Sequence, residues 1–246
     1  MEDTAPFWLP AHPRHRFAAT GRRVQRCTLC LLHLECASGR TCAWGLRMEA
    51  DWSVEIGGDA PVIDRDWPGW VNLQRNPGAV QSLPEVCAFP PLGQMLHAML
   101  QRFSSLLPTK CDVWMEGPAD PLEFDSEPEN CTCVAACYLD LLPLHLAGWN
   151  QFAAVEEWAR TMIRHLRCRS CRNARVELVV REASTLQDSG FGVAIYLAGC
   201  GASEFEAHAA LEEAMLVATE VLCQAQMPAP CKAIPSTMTE ETRAGE

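Results

Sequence analysis

Three observations predict an α+β fold. Val176, Leu178 and Val180 recur at every second position, as do Val193, Ile195 and Leu197, on either side of Asp188-Ser189-Gly190. Apolar residues repeat at helical spacing over 94–107, 150–166 and 203–226. Residues 24–93 are rich in Cys, Trp, Gly and Pro and carry no long period. The architecture expected is an irregular, zinc-stapled Cys/Trp-rich N-terminal part, then central helices, then a β-hairpin plus helix. A flexible arm (1–23), one globular Cys-rich α+β domain (24–228) and a disordered tail (229–246) are the divisions predicted, with no internal repeat.

Each element has a local reason. In the arm, Pro6, Pro10 and Pro13 alternate with His and Arg and give no period. Short strands are expected around Cys42–Val54, where Trp44, Leu46, Met48 and Trp52 share one parity. Gly57-Gly58-Asp59, Trp67-Pro68-Gly69 and Asn76-Pro77-Gly78 are turns. After Pro90-Pro91, Met95, Leu96, Met99, Leu100, Phe103, Leu106 and Leu107 mark one helical face. Residues 116–129, acidic and holding three prolines, read as an exposed loop. The apolar run 134–148 is read as a helix interrupted at Pro143. Asn150 caps a helix that buries Phe152, Val155, Ala159, Met162 and Leu166. Alternation predicts a β-hairpin at 174–198. Ser203-Glu204-Phe205-Glu206 is a capping box, and the helix behind it runs to Pro228. Its Phe205, Leu211, Met215 and Leu222 should meet the hairpin's apolar face.

Composition narrows the function. The chain has 246 residues, 48% of them hydrophobic and 21% charged, enough to bury a sizeable core. Thirty-one acids against 20 bases give a net charge of −11, so bulk charge does not attract nucleic acid or anionic membrane. No apolar run is long enough to span a bilayer, and the first residues lack the apolar stretch of a secretory signal. Lys110 and Lys232 are the only two lysines. A GC-rich genome accounts for that scarcity, and it also leaves few ubiquitin acceptors.

Fourteen cysteines are unusual without an export signal, because reducing compartments disfavour disulfides. Cys27-x-x-Cys30 is followed by His33, Cys36 and Cys42. Cys131-x-Cys133 is followed by Cys137 and His145. His165 precedes Cys168-x-x-Cys171. A knuckle of two cysteines two residues apart turns both sulfurs toward one tetrahedral ion, which needs four ligands. Zinc is therefore expected at Cys168 and Cys171 with partners from Cys131, Cys133 or Cys137, and at Cys27 and Cys30 with Cys42 and either Cys36 or His33. Buried thiols are the competing reading, since free cysteine is among the most buried residue types. His33-Leu34-Glu35 resembles the His-x-Glu of zinc deaminases, but the companion Pro-Cys-x-x-Cys is missing, which leaves a zinc-dependent enzyme as the alternative. Arg164, Arg167, Arg169, Arg172 and Arg175 form one dense basic run, suited to RNA phosphates or a nuclear address, or to the solvated end of a helix.

The order of Cys, Trp and Gly residues over about 35–152 resembles the adenovirus early-region-4 34-kDa family. Glu35-Cys36, Cys42-Ala43-Trp44-Gly45-Leu46, Asp51-Trp52-Ser53-Val54, Trp67-Pro68-Gly69-Trp70-Val71-Asn72-Leu73, Leu83-x-x-Val86-Cys87, Cys131-Thr132-Cys133, Cys137 and Trp149 carry the likeness. Thr132 stands where the family has His, and its Cys/His-dense run is reduced to Cys87. The resemblance implies a non-enzymatic viral early regulatory adaptor of the host nucleus that binds zinc. Such adaptors recruit a host cullin–elongin ubiquitin ligase to host targets and work with the viral early-region-1B 55-kDa protein. It further implies an elongin-binding box at Ser82-Leu83-Pro84-Glu85-Val86-Cys87, with Leu83 and Cys87 as contacts.

Overall fold

The computed structural model describes residues 47–65, 70–102, 106–143, 149–185 and 189–224. The expected arm, Cys27, Cys30, His33, Cys36, Cys42, Trp44, Leu46, Trp67-Pro68-Gly69, His145 and the expected tail lie outside them. Within them, a six-stranded mixed sheet packs against α-helices, so the α+β class stands.

The elements run β1 (Glu49–Glu55), β2 (Ile63–Asp64), α1 (Pro84–Ala88), α2 (Pro90–Arg102), β3 (Leu106–Glu116), β4 (Cys133–Pro143), α3 (Phe152–Arg167), β5 (Ala174–Ser184), β6 (Ser189–Gly201) and α4 (Glu204–Gln224). Sheet order is β1-β5-β6-β4-β3, with β2 also on β5. β1 and β2 are parallel to β5, and every other pairing is antiparallel. The expected hairpin is β5 and β6, in register from Ala174↔Gly199 to Ser184↔Ser189.

Strand β4 corrects the helix expected over 134–148. Its central residues are buried on both faces, so both parities are apolar and the sequence reads as one continuous run. Such a run has no period that separates a buried strand from a buried helix. Pairing decided the matter, because β3 and β6 both satisfy its backbone. Strand β3 was not anticipated at all. Pro108 sits at a register shift in it, as suits an edge position with one unneeded N–H. Consequently the helix expected over 94–107 stops at Arg102, and Leu106 and Leu107 belong to the strand.

All long helices lie on one sheet face. Helix α4 crosses β6 and its neighbours β4 and β5, α2 flanks it toward β3, and α3 flanks it toward β1. The main core joins Val176, Leu178, Val180, Val193, Ile195 and Leu197 of the hairpin to Leu211, Met215 and Leu222 of α4, as expected. Phe205 does not join them. It is 82% exposed, because it falls on the solvent-facing side of α4 with Ala209, Glu212 and Leu216, while Ala207, Leu211 and Ala214 face the sheet. The capping box is formed: Glu206 N–H donates to Ser203 Oγ at 3.3 Å, and Ala202 N–H donates to Glu206 Oε2 at 2.9 Å. Helix α3 buries Val155, Trp158, Ala159, Met162, Ile163 and Leu166, but its cap is Gln151 rather than Asn150.

The opposite sheet face carries smaller clusters. Residues 117–132 fold over one end of it through two 3-10 turns, Pro121–Glu123 and Pro128–Asn130. Phe124, expected to be exposed, is 3% exposed and packs with Cys131, Val134, Ala136, Ala198 and Cys200.

Candidate functional site

The sequence-predicted residues fall in three places. The first is the turn at Leu83–Cys87. Leu83 caps α1 in extended backbone, Pro84 occupies the first helical position, and Cys87 N–H donates to Leu83 O at 2.9 Å. Cys87 is exposed, with its thiol 3.6 Å from Gln81 O. Leu83 is half-buried against the main core, Val86 is buried, and Leu92 is wholly buried. One residue of the expected pair is thus open to a partner, and the other offers part of its side chain.

The cysteines of the second place are dispersed. Alternation along β4 points Cys133 and Cys137 toward the helices, beside the main core. Cys131 packs instead in the cluster on the opposite face, with its Sγ 3.0 Å from Cys200 Sγ. Cys168, just past α3, is exposed, whereas Cys171 is buried. Among the described residues no three His, Cys, Asp or Glu side chains converge as metal ligands would. Burial sets the acidity of these thiols. It pushes Cys171 up to about 12, helped by Glu213, and raises Cys137. Cys111 of β3, opposite Leu139 of β4, is pushed up to about 12 by burial and then by Glu85, Asp112 and Asp140. Without a metal beside them, thiols held protonated in this way react slowly as nucleophiles.

The basic run is the third place, and acids accompany most of it. Arg164 pairs with Glu157 at 3.1 Å, Arg167 with Asp51 at 3.5 Å, Arg169 with Glu220 at 3.7 Å and Arg175 with Glu123 at 3.0 Å. Arg167 Nε also donates to Ala50 O at 2.7 Å, which ties α3 to β1. Four of the five arginines therefore face carboxylates rather than forming an open phosphate-binding stripe.

A polar cluster that sequence reasoning missed lies on the sheet face opposite the helices. Arg181 of β5, 5% exposed, pairs with Glu55 of β1 at 3.0 Å and donates to Tyr196 Oη of β6 at 2.7 Å. Its other nitrogen stands 3.7 Å from Asp140 Oδ1 of β4, an atom with no hydrogen-bond partner. Tyr196 stacks on Tyr138 at 5.8 Å, and Trp114 tilts against Tyr138 at 6.3 Å. Burial raises the Asp140 carboxyl to about 6, against the opposing pull of Arg181 and Lys110. The network links four strands through one guanidinium and holds a carboxyl able to gain a proton near neutrality. A single charge in the middle of an apolar run, Asp140 in 134–143, is the signal that marks such a network, whereas Arg181 lies between Glu177 and Glu182 and carries no such mark.

No known protein family, curated protein or solved structure matches the chain. Among the described residues no helix is long and apolar enough to cross a membrane.

Proposed function

We propose that this protein is a viral early adaptor that binds host proteins and recruits a host cullin–elongin ubiquitin ligase in the nucleus, with the viral early-region-1B 55-kDa protein as its co-adaptor. One observation carries the reading: Leu83–Cys87 forms a helical turn at the surface with the Cys87 thiol exposed. Helices recognise partner grooves through anchor side chains three or four residues apart, and Leu83 and Cys87 have that spacing. The resemblance over residues 35–152 supports the same reading. So does the presence of only two lysines, since an adaptor beside a ubiquitin-transfer centre benefits from few acceptors. Zinc, within this proposal, is held by Cys27, Cys30, Cys36 and Cys42, since no three metal-ligating side chains converge among the described residues, which include Cys131, Cys133, Cys137, Cys168 and Cys171.

The test is a titration of the purified full chain with purified elongin B–elongin C heterodimer, followed by cullin capture. Saturable binding that Cys87→Asp weakens at least about tenfold, with an unchanged melting curve, supports the proposal; that loss corresponds to about 1.4 kcal/mol. Cys87 is the better probe than Leu83 because its substitution leaves the core intact. A folded protein that retains neither elongin nor cullin removes the adaptor function.

A further inference from the structure

Cys131 and Cys200 approach each other more closely than any function considered so far requires. Their sulfurs are 3.0 Å apart, about 1 Å longer than a disulfide bond. The two residues come from separate elements: Cys131 ends the last 3-10 turn of the 117–132 segment, and Cys200 lies near the end of β6. Both are almost fully buried, at 2% and 1% exposure, among Phe124, Val134, Ala136 and Ala198. No third metal-ligating side chain joins them among the described residues, so two-thiol chemistry is the chemistry the pocket offers.

We propose that Cys131 and Cys200 form a reversible disulfide that locks the 117–132 segment onto the sheet. Oxidation breaks both S–H bonds and forms one S–S bond. The electron pair passes to the O–O bond of a hydroperoxide, which leaves as an alcohol and water (two waters for hydrogen peroxide). A small-molecule dithiol reverses the step and becomes a disulfide itself.

In the reduced protein the segment is held by separable polar contacts. Ser126 Oγ donates to Asn173 Oδ1 at 2.9 Å, Arg175 meets Glu123 at 3.0 Å, and Ala119 N–H donates to Cys131 O at 3.1 Å. Asn173 O in turn accepts from Cys200 N–H at 2.8 Å, so the contact reaches the strand beside the sulfur. A cleft of about 310 Å³ opens between this segment and the turn before β5, lined in part by Arg47, Ser126, Glu127, Arg172 and Asn173. Breathing of the segment at that cleft gives an oxidant its approach, and the disulfide then closes it. Cys87 and Cys168 are exposed to oxidant in solution, so they are the internal comparison.

The experiment uses the full chain, treated with hydrogen peroxide, then blocked with N-ethylmaleimide under denaturing conditions. Digestion after glutamate separates Cys131, in 130–156, from Cys200, in 183–204. A cross-linked pair of these fragments, assigned to Cys131 by fragmentation, with a two-hydrogen mass loss that dithiothreitol reverses, is the expected result. The oxidised protein should also melt several degrees higher than the reduced one, and Cys200→Ser should lose both the cross-link and the rise. The proposal is overturned if Cys131 and Cys200 both carry the blocking group after Cys87 and Cys168 have been oxidised. A cross-link of Cys200 to Cys133 or Cys137 instead overturns it equally.

Discussion

Gly199 of β6 lies directly beneath Ala210 of α4: a Cβ at position 199 would come within 2.6 Å of the Ala210 carbonyl carbon and 2.7 Å of Ala207 O. Those neighbours are helix backbone, which cannot turn aside as a flexible side chain would. The absent side chain sets how closely the longest helix sits on the sheet. Gly199→Ala should therefore cost about 3 kcal/mol in urea unfolding, through a helix forced off the strand. Gly58→Ala, where a Cβ meets nothing within 4 Å, is the control, expected to change stability by less than about 0.5 kcal/mol. Equal stabilities for the two variants would contradict this packing.

Asp140 gives the stability a pH dependence of known sign. Its folded value, about 6, lies above the ordinary 3.8. The native state thus binds the proton more tightly, and this group's contribution is greatest below pH 4 and is lost as pH rises through 6. The two-unit difference corresponds to at most about 3 kcal/mol. Asp140→Asn removes the titration, and Arg181 keeps Glu55 and Tyr196 as partners. Relative to the parent, the variant should gain stability steadily from pH 4 to pH 7. Chemical denaturation at each pH measures this; a relative loss at pH 7 would show that the Arg181 attraction outweighs burial.

Phe124 anchors the 117–132 segment over Cys131 and Cys200. Phe124→Ala should cost about 3 kcal/mol, the usual range for a buried aromatic ring. It should also speed labelling of Cys131 and Cys200 by a thiol reagent in the native protein, while labelling of Cys137, in the separate core, stays unchanged. Mass-resolved labelling kinetics distinguishes local loosening from global unfolding, since unfolding would accelerate all three.

Zinc content separates the cysteine groups. Cys27→Ser with Cys30→Ser should remove about one equivalent of bound zinc from the purified chain, the loss expected when half of a structural site's ligands go. Cys168→Ser should leave the content unchanged. Elemental analysis showing the reverse pattern would return the metal to the Cys168–Cys171 knuckle.

Strand β4 shows where local pattern stops being informative. Leu139 and Leu141 face the helices, while Val134 and Ala136 face the other side, so both parities are apolar and the two-residue period vanishes. In β5 and β6 enough alternation survives for the hairpin to be read directly. Phe124 illustrates the complementary failure, because an aromatic residue in an acidic, proline-rich segment gives no sign of the face it will cover. The site residues divide similarly: Leu83 and Cys87 are four residues apart, a spacing that sets them on one face of a helical turn, whereas the Cys131–Cys200 contact joins residues 69 positions apart.

By itself the sequence determined the α+β class, the β5–β6 hairpin, the buried stripe of α3 and the capping box of α4. Each rests on interactions spanning a few residues, where spacing and capping chemistry act without knowledge of the rest of the chain. Only tertiary structure decided that 133–143 is a central strand, that β1 runs parallel to β5, that carboxylates accompany most of the basic run, and that Arg181 meets Asp140 and Glu55. Those outcomes depend on which distant backbone supplies a strand's hydrogen bonds and which distant charge shares a buried face. Pairing energy of that kind is non-local, so no window of the sequence contains it.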